Sequence, residues 1–432
     1  MMKICVYGLW HLGSVTAACL AELGATVVGF DNDENTIRAF HEGELPVHEP
    51  GLKELVNKGR SQGNLSFTNN KEVLKDVDVL WVAFDTPVDD QDRADVKFVE
   101  DQFISIIPYL PIHIRIIISS QVPVGFTREI ELKMKQIIPS SHAVFAYSPE
   151  NLRLGKSIDI FTHPDRIVVG VREFKDRNTM EPVFRMITDR IEWMGIESAE
   201  MTKHAINAFL ATSVTFANEI AVICEKLGVN AKEVERGLKT EERIGPKAYL
   251  GPGSAFAGGT LARDILFLKV LGDQFHYPLH VINAVKSSND YHKGWMKRKL
   301  VELLGDLNGK TIAVLGLTYK PGTDTLRRSL SIELCKWLHE QNASIQAYDP
   351  KVERLPRELI PVIELKTDIP ECLNHADCVI VATEWPEFRT EFKPEALDAM
   401  RMKNIIDMNG FLETSLANSS GFQYAAVGRE YS

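Results

Sequence analysis

Short β-branched runs alternate with helix-patterned segments along the first part of the chain. The strand candidates are KICVYG, ATVVGFD, VDVLWVAFD, RIIISSQ, AVFAYSP and RIVVGV, and the helix-like SVTAACLAELG follows the first of them. Strands that are separated by helices indicate a parallel sheet with helices packed on it. The alternation therefore predicts an α/β fold built on a doubly wound parallel sheet.

A different pattern begins near Ser198, where AEMTKHAINAFLATSVTFANEIAVICEKLG contains no proline, and no glycine before Gly228. Its apolar positions recur at helical spacing, which predicts one long helix over 199–228 that joins two lobes or pairs two subunits. Beyond the glycine-rich stretch 251–259, a second α/β alternation contains LNGKTIAVLGL, SIQAYDP, DCVIVATEW and NIIDMNG. The chain is therefore expected to form a first α/β lobe, a helical middle and a second α/β lobe.

Length and charge exclude several classes of protein. A chain of 432 residues is too long for one compact core. Its net charge is −10 and its sequence contains no block of lysines and arginines, so a nucleic-acid partner is not expected. No export signal and no window of ~18 apolar residues is visible, which favours a cytoplasmic protein without a membrane partner. The cysteines form no CxxC pair, which predicts buried reduced thiols and no metal site. They are Cys5, Cys19, Cys224, Cys335, Cys372 and Cys378.

The stretch GLWHLG (8–13) has the outline of a dinucleotide-binding turn. In such a turn the first glycine makes the bend, the second admits the diphosphate, and the third packs the helix on the strand. Gly8 and Gly13 fill the first and third positions, and Asp31 is placed to bond a ribose hydroxyl. Trp10 replaces the second glycine, so its indole either swings away from the phosphates or takes their place. A strand–turn–helix that binds no dinucleotide remains an equal alternative for this turn alone.

Asp85 is a second residue that opposes a bound dinucleotide. The stretch VAFDTP (82–87) puts it at the carboxyl end of a strand, where the doubly wound fold binds its ligand. Its carboxylate would repel phosphates unless the side chain turned outward.

Nine stretches, found in the same order from residue 2 to about 429, resemble the family of UDP-glucose and GDP-mannose dehydrogenases. They are HEPGL (48–52), VPVG (122–125), SPENLRLG (148–155), PDRIVVG (164–170), the helix with Lys203 and Asn207, ERIGPKAYLGPG (242–253), GLTYKPGTDTLRRS (316–329), ATEWPEFR (382–389) and AAVGR (425–429). Members of this family use NAD to oxidise the sugar C6 alcohol of a nucleotide sugar to a carboxylate.

The resemblance implies two Rossmann-like doubly wound parallel-sheet domains joined by a long central helix. Residues 1–197 would form the NAD-binding domain, 198–300 a helical dimerisation segment and 301–432 the domain that binds the UDP-sugar. The implied cofactor is NAD, the implied substrate a UDP-hexose, and the implied assembly a homodimer or higher homo-oligomer. The residues placed against NAD are Gly8, Trp10, His11, Leu12, Gly13, Asp31, Thr86 and Gln121. If the indole crowds the diphosphate, Trp10→Gly should strengthen NAD binding.

Four residues match the family's polar catalytic groups. Lys203 and Asn207 correspond to a lysine and an asparagine that stabilise the oxyanion at C6, and their i, i+4 spacing puts both on one helical face. Asp264 and Glu150 correspond to carboxylates that handle water and protons, and either is a candidate general base. Taken alone, each of the four is more simply a solvated surface side chain.

Several other catalytic positions depart from the family. Its nucleophilic cysteine, in GFGGSCFPKD, falls at Thr260 of AFAGGTLARD (255–264), and a threonine hydroxyl is a weak nucleophile without a dedicated base. The second glutamate of the family's NPEFLREG is Leu154, the threonine before VPVG is Gln121, and the lysine of PKD is Arg263. Oxidation is therefore expected to stop at the aldehyde.

The resemblance also assigns residues to the nucleotide sugar. ERIGPKAYLGPG is similar to a loop that wraps the nucleotide, and Lys320 offers a point charge to a phosphate. Asn409 stands where the family has a phosphate-directed arginine, and the alternative for this lobe is that it is kept only to complete a dimer core. The candidate substrate residues are Glu150, Leu152, Arg153, Lys203, Asn207, Arg243, Tyr249, Leu250, Gly253, Phe256, Gly258, Tyr319, Lys320 and Arg327.

Two other classes of function stay open. In a non-redox descendant, the Trp10 indole would plug the old diphosphate cradle of a protein that still binds a nucleotide sugar. Trp10, Asp85 and Thr260 favour this alternative, whereas Asp31, Lys203 and Asn207 oppose it. In the other class, the chain is a structural partner in a polysaccharide-synthesis assembly.

Overall fold

The computed structural model describes residues 2–89, 93–150, 152–256, 259–327, 329–416 and 420–431. The chain divides into two compact units, Met1–Ile206 and Asn207–Ser432, and each contains one sheet. The division into three domains that the sequence suggested stays a prediction.

The sheet of the first unit has the strand order 3-2-1-4-5-6-7-8, so the chain crosses over on both sides of its first strand. The strands are β1 (Lys3–Tyr7), β2 (Thr26–Phe30), β3 (Leu65–Thr68), β4 (Val79–Val82), β5 (Arg115–Ile118), β6 (Val144–Tyr147), β7 (Ile167–Val171) and β8 (Ile191–Gly195). All described neighbours are parallel except β6 and β7, which pair antiparallel. The predicted doubly wound α/β fold is confirmed, with this antiparallel pair as the difference.

The two faces of this sheet carry separate apolar clusters. Along β1, Ile4 and Val6 belong to one cluster, and Cys5 and Tyr7 belong to the other. Because alternate side chains of a strand point to opposite faces, the strand is apolar throughout and helices cover both faces. The helices are α1 (His11–Glu22), α2 (Glu34–Glu42), α3 (Leu52–Gln62), α4 (Val96–Ile106), α5 (Phe126–Ile137), α6 (Ser157–Thr162) and α7 (Phe174–Phe184), with 3-10 turns at Lys71–Asp76 and Ile107–Tyr109.

The long helix predicted over 199–228 is α8 (Ile196–Leu227), which passes from the first unit into the second. By length and composition α8 is apolar enough to cross a membrane, whereas the sequence was expected to contain no such segment. The core helix of a folded protein passes the same test, and 44% of its most apolar stretch is buried. The helix is therefore weak grounds for a membrane span.

The sheet of the second unit repeats the same winding. Its strands are β9 (Thr311–Leu315), β10 (Ser344–Tyr348), β11 (Glu364–Leu365), β12 (Cys378–Val381), β13 (Asn404–Asp407), β14 (Gln423–Ala426) and β15 (Arg429–Tyr431), in the order 11-10-9-12-13-14-15. The described neighbours are parallel except β14 and β15. The helices are α9 (Ala231–Thr240), α10 (Thr260–Gln274), α11 (His280–Lys293), α12 (Trp295–Leu304), α13 (Leu330–Glu340), α14 (Ile369–Leu373), α15 (Phe388–Glu391) and α16 (Glu413–Leu416), with a 3-10 turn at Pro394–Ala399.

The cysteines lie inside these cores. All six fall in described positions, where each is buried and carries a free thiol. Burial raises the pKa of the Cys5, Cys19, Cys335, Cys372 and Cys378 thiols, because the thiolate is poorly solvated there.

Candidate active site

The turn between β1 and α1 has no room for side chains at its two glycines. Gly8 has a φ of +94°, and a Cβ atom there would lie 2.7 Å from the Phe84 ring. A Cβ atom on Gly13 would lie 1.6 Å from the Gly8 carbonyl oxygen. The strand and the helix therefore approach so closely that only glycine fits, which is the physical reason for the outer glycines of GLWHLG.

The Trp10 side chain is not packed into the core of this turn. Trp10 is 57% exposed and precedes the first residue of α1, and its carbonyl oxygen accepts a hydrogen bond from the Ser14 amide at 3.0 Å. The indole is therefore outside the core, and its position relative to a bound diphosphate stays a prediction.

Two carboxylates bond the amides around this turn. The Leu9 amide donates to Asp31 Oδ2 at 2.9 Å, and burial raises the pKa of Asp31. The Leu12 amide, in the first turn of α1, donates to Asp85 Oδ2 at 2.9 Å. The outward rotation that would have relieved repulsion from Asp85 is therefore absent in this structure. The two glycines fit a dinucleotide, and one amide of the helix end is already bonded to a carboxylate.

His11 connects the turn to two of the sequence motifs. Its Nε2 atom lies 3.1 Å from Glu49 Oε2, and the same carboxylate accepts hydrogen bonds from the Gly155 and Ser157 amides, each at 2.9 Å. Burial alone would raise the pKa of Glu49, but these hydrogen bonds outweigh it and the pKa is lowered. Glu49 thus connects the HEPGL motif to the SPENLRLG motif. The sequence contains both motifs, but their separation along the chain does not reveal this contact.

Thr86 and Gln121 meet where β4 and β5 end. Both are buried, and the Thr86 hydroxyl donates to the Gln121 carbonyl oxygen at 2.7 Å. In parallel doubly wound sheets the carboxyl ends of the strands form the ligand-binding edge, so both residues lie at the edge where the sequence placed them.

Lys203 is held by Glu150 within the first unit. Its ammonium nitrogen donates to the Glu150 carbonyl oxygen at 2.5 Å and lies 3.4 Å from Glu150 Oε1. Lys203 is 5% exposed, so these oxygens take the place of most of the water around its ammonium group. Leu152 contributes an amide that donates to Glu150 Oε2 at 2.7 Å, whereas Arg153 and Leu154 are exposed.

Asn207 and Asp264 form the polar pair of the second unit. The Asn207 side-chain amide donates to Asp264 Oδ2, and Asp264 is fully buried. Thr260 is the first residue of α10 and lies one turn before Asp264, with its side chain exposed. Neither residue of this pair is a solvated surface group, contrary to the simpler interpretation of each residue taken alone.

The 251–256 loop is fixed by amides and an imidazole. The Gly253 amide donates to Asn218 Oδ1 at 2.9 Å, and Phe256 exchanges two hydrogen bonds of 2.9 Å with Asn289. His292 Nε2 lies 2.8 Å from the Gly253 carbonyl oxygen, and burial lowers the pKa of His292. Sequence reasoning missed these three supporting side chains, because each lies 33 to 39 residues from the loop residue that it bonds. Gly258 lies outside the described residues.

Asn409 is hydrogen-bonded on both sides of its amide. Its Oδ1 atom accepts from the Ser254 amide at 2.7 Å, and its Nδ2 atom donates to Glu384. A Cβ atom on Gly253 would lie 2.2 Å from Asn409 Oδ1, so this glycine is required by the contact. The position thus ties the loop to the end of β13.

The remaining substrate candidates lie apart from this loop or on the surface. Arg243 is paired with Glu241 at 2.8 Å and extends into solvent, and Tyr249 is 62% exposed. Tyr319 is 42% exposed, and its amide donates to the Thr325 carbonyl oxygen at 2.9 Å. The others are Leu250 and Lys320, which are half-buried, and Arg327, which is exposed.

The turn after β9 repeats the first turn in the second unit. Gly316 has a φ of +91°, and a Cβ atom there would lie 2.4 Å from Thr383 Cβ. The amides of Leu317 and Thr318 donate to Asp349 Oδ2 at 2.7 and 3.0 Å, and the Trp385 indole donates to the same oxygen at 3.1 Å. Among the described residues, no group of three or more His, Cys, Asp or Glu side chains is arranged to hold a metal ion.

Comparisons with known proteins cover the whole chain. Sequence models of the UDP-glucose/GDP-mannose dehydrogenase family match it as the NAD binding domain over residues 2–188, the central domain over 197–291 and the UDP binding domain over 313–414. The UDP-glucose 6-dehydrogenase of Rhizobium meliloti (strain 1021) is 34% identical, over 99% of this chain and 100% of that protein. UDP-glucose 6-dehydrogenase TuaD of Bacillus subtilis (strain 168) is 31% identical, over 99% and 94%.

Solved structures are similar over the same length. A UDP-glucose dehydrogenase from the hyperthermophilic archaeon Pyrobaculum islandicum superimposes with a TM-score of 0.87 at 28% identity, covering 99% of this chain and 98% of that chain. A UDP-D-ManNAc dehydrogenase from Pyrococcus horikoshii has a TM-score of 0.85 at 25% identity, covering 99% of both chains.

Proposed function

The chain belongs to the UDP-glucose/GDP-mannose dehydrogenase family, and from this premise we propose that it oxidises the C6 hydroxyl of a UDP-hexose with NAD and stops at the aldehyde. It is an NAD-dependent UDP-sugar dehydrogenase, and the proposal concerns the hexose and the extent of oxidation. The observation that carries it is the hydroxyl of Thr260 at the first position of α10, where the family has its nucleophilic thiol. The non-redox alternative is not favoured, because the family match includes the NAD-binding domain.

In the proposed first step, the C6 hydroxyl loses its proton to a carboxylate and its carbon loses a hydride. NAD, when bound, supplies the acceptor for that hydride. Lys203 and Asn207, four residues apart on α8, stabilise the negative charge that develops on the oxygen. Glu150 or Asp264 takes the proton, and each is already in hydrogen-bond or ion-pair contact with one of those two residues.

A second oxidation to the acid needs a covalent or hydrated aldehyde. The threonine hydroxyl at position 260 is a weak nucleophile, and the apolar Leu154 replaces a carboxylate that the family keeps. The chain's own thiols do not supply a substitute, because the six cysteines, all in described positions, are buried in the cores. Release of the aldehyde is therefore the proposed outcome.

Product stoichiometry tests this proposal. With UDP-glucose and NAD, we expect one NADH for each sugar consumed and an aldehyde that a hydrazine reagent traps for mass spectrometry. Thr260→Cys with Leu154→Glu should raise the ratio towards two and yield the acid, whereas Thr260→Ser, which keeps a hydroxyl, should not. Two NADH and the uronic acid from the unaltered chain would contradict the proposal.

We also propose that the chain forms a homodimer through α8. Within the second unit, Phe209, Phe216, Ile223 and Leu227 are 71%, 46%, 58% and 71% exposed and recur at spacings of seven, seven and four residues. Such a stripe of exposed apolar side chains on one helix is typical of a helix that pairs with another copy. Sedimentation should show a dimer that Phe216→Glu weakens, while Ile360→Glu, at an exposed apolar position off this helix, leaves it intact. A monomeric unaltered chain at micromolar concentration would contradict this.

A further inference from the structure

We infer that the Asp85 carboxylate is an internal substitute for the cofactor's diphosphate, which NAD must displace from the first turn of α1. The inference rests on the turn binding NAD and is independent of where the oxidation stops. It goes beyond the binding of the cofactor, because it assigns to this chain a built-in competitor for the cofactor's most charged group.

The first step is the position of the carboxylate. The amides of a helix's first turn carry no partner within the helix and attract anions, which is why a dinucleotide places its diphosphate there. In α1 the Leu12 amide donates to Asp85 Oδ2 at 2.9 Å. The nearby Leu9 amide is bonded to Asp31 at 2.9 Å. An anion that belongs to the chain itself thus holds a donor of the helix end.

The second step is that the contact is reversible. Asp85 is an exposed residue, and the backbone on either side of it is held: the Ala83 amide donates to the Tyr7 carbonyl oxygen at 2.8 Å, and the Thr86 hydroxyl donates to the Gln121 carbonyl oxygen at 2.7 Å. A rotation of the Asp85 side chain into solvent therefore frees the Leu12 amide without moving the strand end.

The third step is electrostatic. A carboxylate and a diphosphate repel each other at short range, so both cannot share the end of α1. The carboxylate stabilises the free protein, because it satisfies a helix amide and complements the helix dipole. The same bond lowers the affinity for NAD by the work of breaking it.

The inference predicts opposite effects of one substitution on stability and on binding. Asp85→Ala removes both the charge and the acceptor, so we expect NAD and ADP to bind about tenfold more tightly by calorimetry, equal to about 1.4 kcal/mol. The melting temperature of the ligand-free protein should fall by about 2–4 °C. Asp85→Asn, which keeps an acceptor without the charge, should lie between the unaltered chain and Asp85→Ala in both measurements.

Two controls isolate the diphosphate contact. Adenosine lacks phosphate, so its affinity should be the same for all variants. Asp101→Asn removes an equal charge from α4, where Asp101 pairs with Lys97 at 2.8 Å in an exposed position, and should leave NAD affinity unchanged. Unchanged NAD and ADP affinity in Asp85→Ala, or an equal gain for adenosine or in Asp101→Asn, would overturn the inference.

The test separates this inference from the proposed reaction. Tighter NAD binding by Asp85→Ala together with uronic acid from the unaltered chain would support the internal anion and overturn the aldehyde proposal. Folded variants that bind neither NAD nor ADP would overturn the inference.

Discussion

The two sheets begin with the same device and use it differently. In each, a glycine with positive φ follows the central strand, Gly8 in the first unit and Gly316 in the second. The amide of the next residue donates to an aspartate at the end of the neighbouring strand, Asp31 or Asp349. The equivalence comes from crossover geometry, because the turn must pack against the end of the adjacent parallel strand.

The two turns differ in the segment that comes after the glycine. In the first unit α1 begins three residues after Gly8, and its Leu12 amide donates to Asp85. In the second unit a loop separates Gly316 from α13, whose end is capped by Ser329. The residue that corresponds to Asp85 is Glu384, which accepts from Asn409 instead of from a helix. The same arrangement of strand, glycine and aspartate is thus followed by a carboxylate bonded to a helix end in the first sheet. In the second sheet it is followed by a loop and a contact between two side chains.

The largest effect expected from this comparison concerns the two glycines. Gly8→Ala and Gly316→Ala combine a positive φ with crowding, so we expect each to lower the free energy of unfolding by about 2–5 kcal/mol in urea titrations. Gly316→Ala should cost more, because Thr383 backbone crowds it at 2.7 Å whereas Gly8 faces a ring. Gly24→Ala is the control, with a φ of +93° and open space. Equal losses of unfolding free energy in all three variants would show that the positive φ, and not crowding of the Cβ atom, determines the cost.

The next largest effect is expected at the two aspartates, whose replacement should lower the free energy of unfolding by different amounts. Asp349 is 3% exposed and its Oδ2 atom accepts from two amides and the Trp385 indole, so Asp349→Ala leaves buried donors unbonded and should cost about 3 kcal/mol. Asp31 has more solvent nearby, so Asp31→Ala should lower the free energy of unfolding by only about 1 kcal/mol. Chemical denaturation measures both, and a larger loss in Asp31→Ala would reverse the proposed ranking of the two turns.

The second unit should also respond to mild acid through His292. Burial lowers its pKa below the usual 6.5, so the unfolded chain binds this proton more readily than the folded one. The contribution of His292 to stability is therefore complete above pH 6.5 and falls as pH decreases below it. In urea titrations between pH 5 and 8, His292→Gln should reduce this slope, and an unchanged slope would assign it to other groups.

The smallest effect is expected at the middle position of each turn. Trp10 is 57% exposed, whereas its counterpart Thr318 is 1% exposed. The sequence suggested that Trp10→Gly strengthens NAD binding; because the indole is mostly in solvent and packs on little of the turn, we expect a small gain, with a dissociation constant within about twofold of the unaltered value. A tenfold gain in calorimetry would show that the indole turns inward when the cofactor binds.

The alternation of strands and helices was sufficient to predict both sheets and the long helix. The short strands LSFT and IEWMG were not among the strand candidates, since four or five residues of mixed polarity give a weak pattern. The antiparallel pairing of β6 with β7 was also beyond the pattern, because apolar runs do not state a strand's direction.

The site residues also fall into two groups, those that the sequence identified and those whose contacts it did not reveal. The glycines could be predicted because their motif is local, whereas Lys203 and Asn207 were assigned only through the resemblance to the family. The bond of Asp85 to Leu12 spans 73 residues, and that of Asn409 to Ser254 spans 155. Such contacts depend on side-chain rotation and on loop position, which the sequence pattern does not encode.

The burial of every thiol has a consequence for the sensitivity of this dehydrogenase to reagents that modify cysteine. Alkylating reagents and peroxides attack exposed thiolates, and the cysteines, all within the described residues, offer none at the surface. A family member with threonine at the nucleophile position should therefore keep working through oxidative stress and iodoacetamide treatment that would silence a thiol-dependent relative.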